Sequence, residues 1–130
     1  MPRDIEGTRA RVESSHVMRV GLLPGALSPD ARARANAFLD RLGHATGARP
    51  NIVTGAAEPL LIQLQDGQLD LVIGEVAAGS PWLDEVAVIE PLMERHLAGR
   101  TIGFGPIARN GENRWVMLLE TTVRDLRGGA

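Results

Sequence analysis

The chain has 130 residues, of which 44% are apolar, and its formal net charge is -2. This length allows one compact domain but not two ordinary ones, and the near-neutral charge does not favour nucleic acid or an anionic membrane as a partner. The chain has no cysteine, which excludes disulfides, thiolate zinc sites and cysteine nucleophiles.

The N-terminal segment, residues 1–16, is polar and lacks the apolar core of a secretory signal. It predicts either a loosely held arm or a short helix capped by Thr8. Residues 17–130 are then expected to form a single α/β domain. No apolar run approaches the roughly 20 residues that would cross a bilayer.

The first strand is predicted at residues 17–23 and is broken by Pro24-Gly25. A helix follows, with Ser28 as N-cap, proline at its first position and aspartate in its first turn. Apolar residues recur along it at steps of three and four, which predicts one buried stripe: Ala31, Ala35, Phe38, Leu39, Leu42 and Ala45.

A second strand is predicted at residues 51–54, and Glu58-Pro59 opens a second helix that Gly67 ends. The next strand begins with three consecutive apolar residues at 71–73, a pattern typical of a strand covered on both faces. We therefore expect it at the centre of the sheet. Glu75 follows where the apolar run ends, at the carboxyl edge where ligands collect in open α/β sheets.

The second half of the chain is more irregular. Residues 77–82 predict a flexible loop, 86–89 a short strand, and 92–100 an irregular or briefly helical segment. A glycine-rich strand is predicted at 101–108, and its internal proline favours a sheet edge or a bulge. Asn110 or Asn113 is expected to cap a last helix with an apolar face: Trp115, Leu118, Leu119, Thr122, Val123 and Leu126.

The predicted order, β-α-β-α-β-β-β-α, indicates an α/β protein with a mostly parallel five-stranded sheet and helices on both faces. Right-handed crossovers place the first strand between the second and the third.

Several segments in this order resemble the solute-binding proteins of ABC transporters, specifically the amino-acid-binding family 3. Residues 64–74 are similar to that family's "L-x-x-G-x-x-D-L-V-I" helix–turn–strand signature, and residues 18–22 with the following Pro-Gly loop resemble its first strand. Residues 7–12 resemble its first helix, and residues 107–111 resemble its closing strand and the start of its last helix. Residues 90–92 lie where the family usually has its "S-x-P-Y" stop. The resemblance implies the fold of lobe one of a type II periplasmic binding protein.

The chain departs from this family in two ways. Between Pro91 and Thr101 there is too little sequence for a second lobe, so lobe two is expected to be absent. The family's ligand-clamping arginine aligns with Trp82, and a bidentate guanidinium is hard to replace in carboxylate recognition. Binding of free amino acids in the family's usual manner is therefore not expected.

The candidate ligand-binding residues are Pro24, Gly25, Glu75, Ser80 and Trp82. The turn from Pro24 to Ser28 could offer N–H groups to an anion, but an ordinary turn and helix cap is the favoured interpretation. Glu75 is able to bind a cationic group or is a solvated loop carboxylate. Trp82 is able to form the hydrophobic base of a ligand site or to pack beneath its own loop.

The candidate partner-binding residues are Arg109 and Arg114, because capping of the last helix does not require them. They are expected to contact a partner or to pair with Glu75. The three histidines are isolated and show no metal-binding spacing, and no catalytic motif is present. No metal, cofactor or catalytic residue is therefore expected.

The function favoured by these observations is a non-catalytic module that binds a small molecule or a protein for a membrane transport system in the periplasm. A homodimer is predicted because lobe two is absent. The alternative is an accessory subunit of a transporter that recognises protein and no solute. A signal removed by processing is favoured over a cytoplasmic location.

Overall fold

The computed structural model describes residues 7–24, 28–77 and 85–128 of the chain. The helices are α1 (Thr8–Ser15), α2 (Pro29–Thr46), α3 (Ala57–Gln65) and α4 (Asn113–Gly128). The strands are β1 (Val17–Leu22), β2 (Arg49–Thr54), β3 (Leu71–Ala77), β4 (Val86–Val88), β5 (Met93–Leu97) and β6 (Arg100–Arg109).

Six described strands form one sheet in the order β2-β1-β3-β6-β4, and β5 also pairs with β6. β1 is parallel to β2 and to β3, whereas β6 is antiparallel to β3, β4 and β5. Strands β1–β5 therefore run in one direction, and β6 runs against them. The predicted mostly parallel sheet, the place of β1 between β2 and β3, and the central place of β3 are confirmed.

Helices cover both faces of this sheet, as predicted. Leu71 and Ile73 face a core formed with α1, α2 and α4, while Val72 faces a smaller core formed with α3. All three side chains are fully buried. Their consecutive apolar character follows from this coverage, because successive side chains of a strand point to opposite faces.

The long helix α2 begins as its sequence predicts. Ser28 is the N-cap, and its Oγ accepts a hydrogen bond from the Ala31 N–H at 3.3 Å. The predicted stripe is buried except for its last member, Ala45, which is exposed. Thr46 is buried in its place, and its hydroxyl donates to the Leu42 carbonyl at 2.9 Å.

The prediction of an irregular or briefly helical segment at residues 92–100 is wrong, because Met93–Leu97 is strand β5. The turn into β6 consists of Ala98 and Gly99, whose φ values of 50° and 78° are typical of a two-residue hairpin turn. Residues 93–97 contain no β-branched side chain, so local propensity gives little strand signal there. Pairing with β6 decides the conformation, and the sheet has six strands rather than five.

Of the two alternatives predicted for the proline-containing strand, an edge position or a bulge, the edge position is wrong, since β6 pairs with β3 on one side and with β4 and β5 on the other. The pairing of β6 with β5 ends at Phe104, and its pairing with β4 begins at Ile107. Pro106 lies between these two residues. Its carbonyl accepts from the Ile89 N–H on that side. Proline has no backbone N–H, and at this position, between the segments that pair with β5 and with β4, the sheet loses no hydrogen bond through its absence.

Two predicted caps differ in the structure. Gly7 is the N-cap of α1, and Thr8 instead binds Glu112 through its N–H, at 3.0 Å, and its hydroxyl. The carbonyl of Glu112 accepts from the Val116 N–H at 2.8 Å, which puts Glu112, rather than Asn110 or Asn113, at the N-cap position of α4. None of the described helices is long and apolar enough to cross a membrane.

Candidate functional site

A pocket of about 370 Å³ opens at the carboxyl ends of β1 and β3, beside the start of α2 and the β5–β6 hairpin. This is the edge of the sheet where ligands bind in open α/β folds. The described residues that line it are Pro24, Ser28, Ala31, Glu75, Met93, Glu94, Arg95, Ile102 and Phe104.

Glu75 reaches this pocket because of its position in β3. It lies two residues beyond Ile73 on the face covered by α2, just past the end of the buried run. Its side chain is 28% exposed. The intervening Gly74 faces the other way, where a Cβ would lie only 2.3 Å from the Leu23 side chain, so a larger residue there would displace the strand that carries Glu75.

Arg95 forms a bidentate ion pair with Glu75. Its Nε donates to Oε2 at 2.6 Å and its Nη2 donates to Oε1 at 3.1 Å. Because β6 lies between β3 and β5, the Arg95 side chain crosses β6 on the face of Ile102 and Phe104. The hydrogen bond to Glu75, together with the negative charge of that carboxylate, raises the pKa of Arg95 against a smaller opposing effect of burial.

The pocket therefore combines two kinds of surface. Its charged part is the Glu75–Arg95 pair, and apolar lining comes from Ala31, Ile102 and Phe104. A carboxylate accepts hydrogen bonds from an ammonium or guanidinium group, and apolar side chains contact the carbon skeleton of a ligand. This arrangement suits a small organic cation better than a bare inorganic ion.

The predicted ligand-binding residues divide into two groups. Pro24 and Glu75 line this pocket. Gly25, Ser80 and Trp82 lie outside the described residues. The described N-terminal end of α2 shows the ordinary cap at Ser28, and anion binding there stays a prediction.

The predicted partner-binding residues lie away from this pocket. Phe104 is the residue of β6 opposite Glu75, and Arg109 lies five residues further along, so the suggested pairing of Arg109 with Glu75 is wrong. Arg109 instead lies over Gly67 and lines a second pocket of about 240 Å³ at the other end of β3. Arg114 is exposed in the first turn of α4. Contact of either arginine with a partner stays a prediction.

A network around Asp70 occupies that other end of β3. The Asp70 side chain is fully buried; it accepts from the Arg19 backbone N–H at 2.8 Å and forms ion pairs with the Arg19 and Arg11 guanidinium groups. The Asp70 carbonyl accepts from Trp115 Nε1 at 2.8 Å. Burial, then the nearby charge of Arg19, lowers the pKa of Arg11 against an opposing effect of Glu112. The aspartate of the "G-x-x-D" segment therefore joins β1, α1 and α4.

Sequence reasoning missed Arg95, which makes the bidentate contact with Glu75 in the main pocket. The residue lies 20 positions from Glu75 in the sequence, in the segment whose strand was not predicted. A signal was present in Gly99, the second residue of a two-residue turn before a glycine-rich strand. Among the described residues, no group of three or more histidine, aspartate or glutamate side chains is arranged to hold a metal ion.

Solved structures share this fold. The arginine-bound form of domain 1 from TmArgBP matches with a TM-score of 0.73 and 16% identity, over 89% of this chain and 98% of that one. A mutant of the same domain matches with the same score over 92% of this chain. The VFT2 domain of BvgS from Bordetella pertussis matches with a TM-score of 0.51 and 18% identity, over 72% of this chain and 42% of that one.

These likenesses show the fold, which is that of a single lobe of a periplasmic binding protein. No protein-family model matches the sequence, and no curated protein matches it. The assignment to family 3 of the ABC-transporter solute-binding proteins therefore stays a prediction.

Proposed function

We propose that this chain is a non-catalytic solute-binding module whose pocket at Glu75 binds a small molecule carrying a cationic group. The observation that carries the proposal is the partly buried carboxylate of Glu75 beside an apolar wall in a pocket of about 370 Å³. That volume lies within the range of about 300–1,000 Å³ typical of small-molecule sites.

The fold supports this proposal without identifying the ligand. The pocket lies where open α/β sheets bind ligands, and domain 1 of TmArgBP, which shares the fold, was solved with arginine bound. In this chain the described pocket carries a carboxylate that is able to accept a guanidinium or an ammonium group.

The chain length between β4 and β6 bears on affinity. Only β5 and its flanking turns lie there, so we propose residues 17–130 as a single lobe-one-like domain with no second lobe inserted at this point. A site formed by a single lobe holds a ligand weakly because much of the ligand surface stays in contact with water. A second copy of this chain, or a transporter component in the periplasm, would supply the other wall of the site. The homodimer would be contradicted if light scattering found only monomer, both with and without ligand.

The test is a thermal-shift screen of amines, guanidines, amino acids and small anions, followed by calorimetric titration of the hits. Ligands with a cationic group should stabilise the protein, because binding to the folded state alone raises the unfolding temperature. The E75Q variant should lose at least about tenfold in affinity, which corresponds to one charge-assisted hydrogen-bonded contact.

The matched control is E58Q, which removes the same charge from an exposed position in the first turn of α3 and should bind as the original protein does. If no compound shifts the unfolding temperature, or if E75Q binds every hit unchanged, the proposal is wrong. The accessory subunit that recognises protein would then become the better explanation.

A further inference from the structure

We infer that Arg95 is an internal occupant of the cation position at Glu75, so that a cationic ligand binds by displacing the protein's own guanidinium group. This inference rests on the proposed function, because it concerns the same pocket. It adds a competing side chain that sets both the affinity and the selectivity of the site.

The geometry of the pair supports this inference. Both carboxylate oxygens of Glu75 are engaged, one by Nε at 2.6 Å and the other by Nη2 at 3.1 Å of Arg95. A guanidinium ligand would use the same two oxygens in the same fork-like arrangement. The ligand and Arg95 are therefore unable to form bidentate pairs with Glu75 at the same time.

The position of Arg95 makes the displacement feasible. Its side chain is 51% exposed, and among the described strands β5 pairs only with β6. A guanidinium group released from Glu75 is therefore able to turn into water rather than remain buried without a partner. Solvent exposure keeps the strength of this ion pair modest in spite of its bidentate geometry, so the competition should lower ligand affinity by a small factor rather than abolish binding.

This competition also predicts which cations bind. Arg95 is tethered beside Glu75 and so acts at a high effective concentration, which a free cation in dilute solution does not match. A ligand gains an advantage only through contacts that Arg95 does not supply, such as burial of an alkyl chain against Ile102 and Phe104. Guanidines with an alkyl chain should therefore bind better than the unsubstituted guanidinium ion.

The experiment is calorimetric titration of propylguanidinium, which has no carboxylate, into the original protein and the R95Q variant. We expect R95Q to bind it about two- to fivefold more tightly, since an exposed ion pair no longer competes. The matched control is R100Q, which removes an exposed arginine of the same hairpin outside the pocket lining and should leave the affinity unchanged.

A second measurement follows Arg95 directly. In the original protein, the nuclear magnetic resonance signal of the Arg95 Nε–H should move towards the position of a solvated arginine as propylguanidinium binds. The thermal unfolding of R95Q, recorded without ligand, establishes that the variant is folded.

Two outcomes separate this inference from the proposed function. If R95Q binds propylguanidinium equally or more weakly while E75Q loses binding, Arg95 does not compete and the inference is overturned, although Glu75 remains the cation site. If neither the original protein nor R95Q binds propylguanidinium, the inference is also overturned. If the wider screen then fails as well, the proposed function falls with it.

Discussion

The two ends of β3 each carry a carboxylate bound by arginine, but their surroundings differ. Asp70, just before the strand, has a fully buried side chain and is bound by Arg11, by the Arg19 side chain and by the Arg19 backbone. Glu75, near the other end, is 28% exposed and is bound by Arg95 alone among the described arginines. Similar chemistry therefore stands in two different environments along one strand.

The comparison indicates that burial, more than residue type, decides what a carboxylate–arginine contact does. At Asp70, water is excluded from the carboxylate and the partners come from separate elements, so the contact fixes α1 and β1 relative to β3. At Glu75, water reaches both side chains, so the pair should contribute less to stability, and its replacement by a cationic ligand is the inference proposed above. The Asp70 end is suited to stability and the Glu75 end to exchange of partners.

The largest expected effect on stability comes from removing the charge of the buried Asp70 carboxylate. D70N should lower the free energy of unfolding by about 3 kcal/mol, near the lower limit for removal of one partner from a buried pair, because the two arginines are themselves partly exposed. Chemical denaturation followed by circular dichroism measures this change. A loss below about 1 kcal/mol would contradict the view that Asp70 locks the elements together.

An intermediate effect on stability is expected from the hydrogen bond between Thr8 and Glu112, which lies at the same end of β3 as Asp70. T8V keeps the shape of Thr8 but removes the hydroxyl that donates to the buried Glu112. The free energy of unfolding should fall by about 1.5 kcal/mol, the typical contribution of a hydrogen bond to a charged group. The matched control is T121V, because the exposed Thr121 hydroxyl bonds only a helix carbonyl and its loss should change stability by less than about 0.5 kcal/mol. Equal losses of unfolding free energy in T8V and T121V would contradict the contribution assigned to the hydrogen bond between Thr8 and Glu112.

The smallest effect on stability is expected at the exposed end. E75Q, which should weaken ligand binding strongly, is expected to leave the midpoint of thermal unfolding within about 3 °C of the original value, because a weak surface pair is lost. The measurement is a thermal scan without ligand beside D70N under the same conditions. A decrease as large as that of D70N would show that both ends are structural.

Local sequence pattern accounts for much of the fold. The stripe of α2 and its Ser28 cap predict a helix, and the apolar run at 71–73 predicts a strand covered on both faces. The order of strands and helices, with right-handed crossovers, predicts β1 between β2 and β3. These features follow from residues close in the chain, whose periodicity and capping chemistry act before any distant contact forms.

The candidate site was only partly predictable. Glu75 follows from the end of the buried strand, since its place at the carboxyl edge is fixed by the strand itself. Arg95 does not follow, because strand β5 exists only through its pairing with β6, and the side chain reaches Glu75 across that intervening strand. Arg109 was predicted near the same site, yet the antiparallel direction of β6 carries it to the opposite end.

The sequence by itself therefore determined the elements other than β5, their order, the central strand and the acidic residue near its end. The tertiary structure alone decided which groups meet those elements: Arg95 at Glu75, two arginines at Asp70, and Glu112 at Thr8, which is 104 residues away. The physical reason is that periodicity and capping are properties of neighbouring residues, whereas an ion pair depends on strand direction, register and burial, which are set only when distant segments pack.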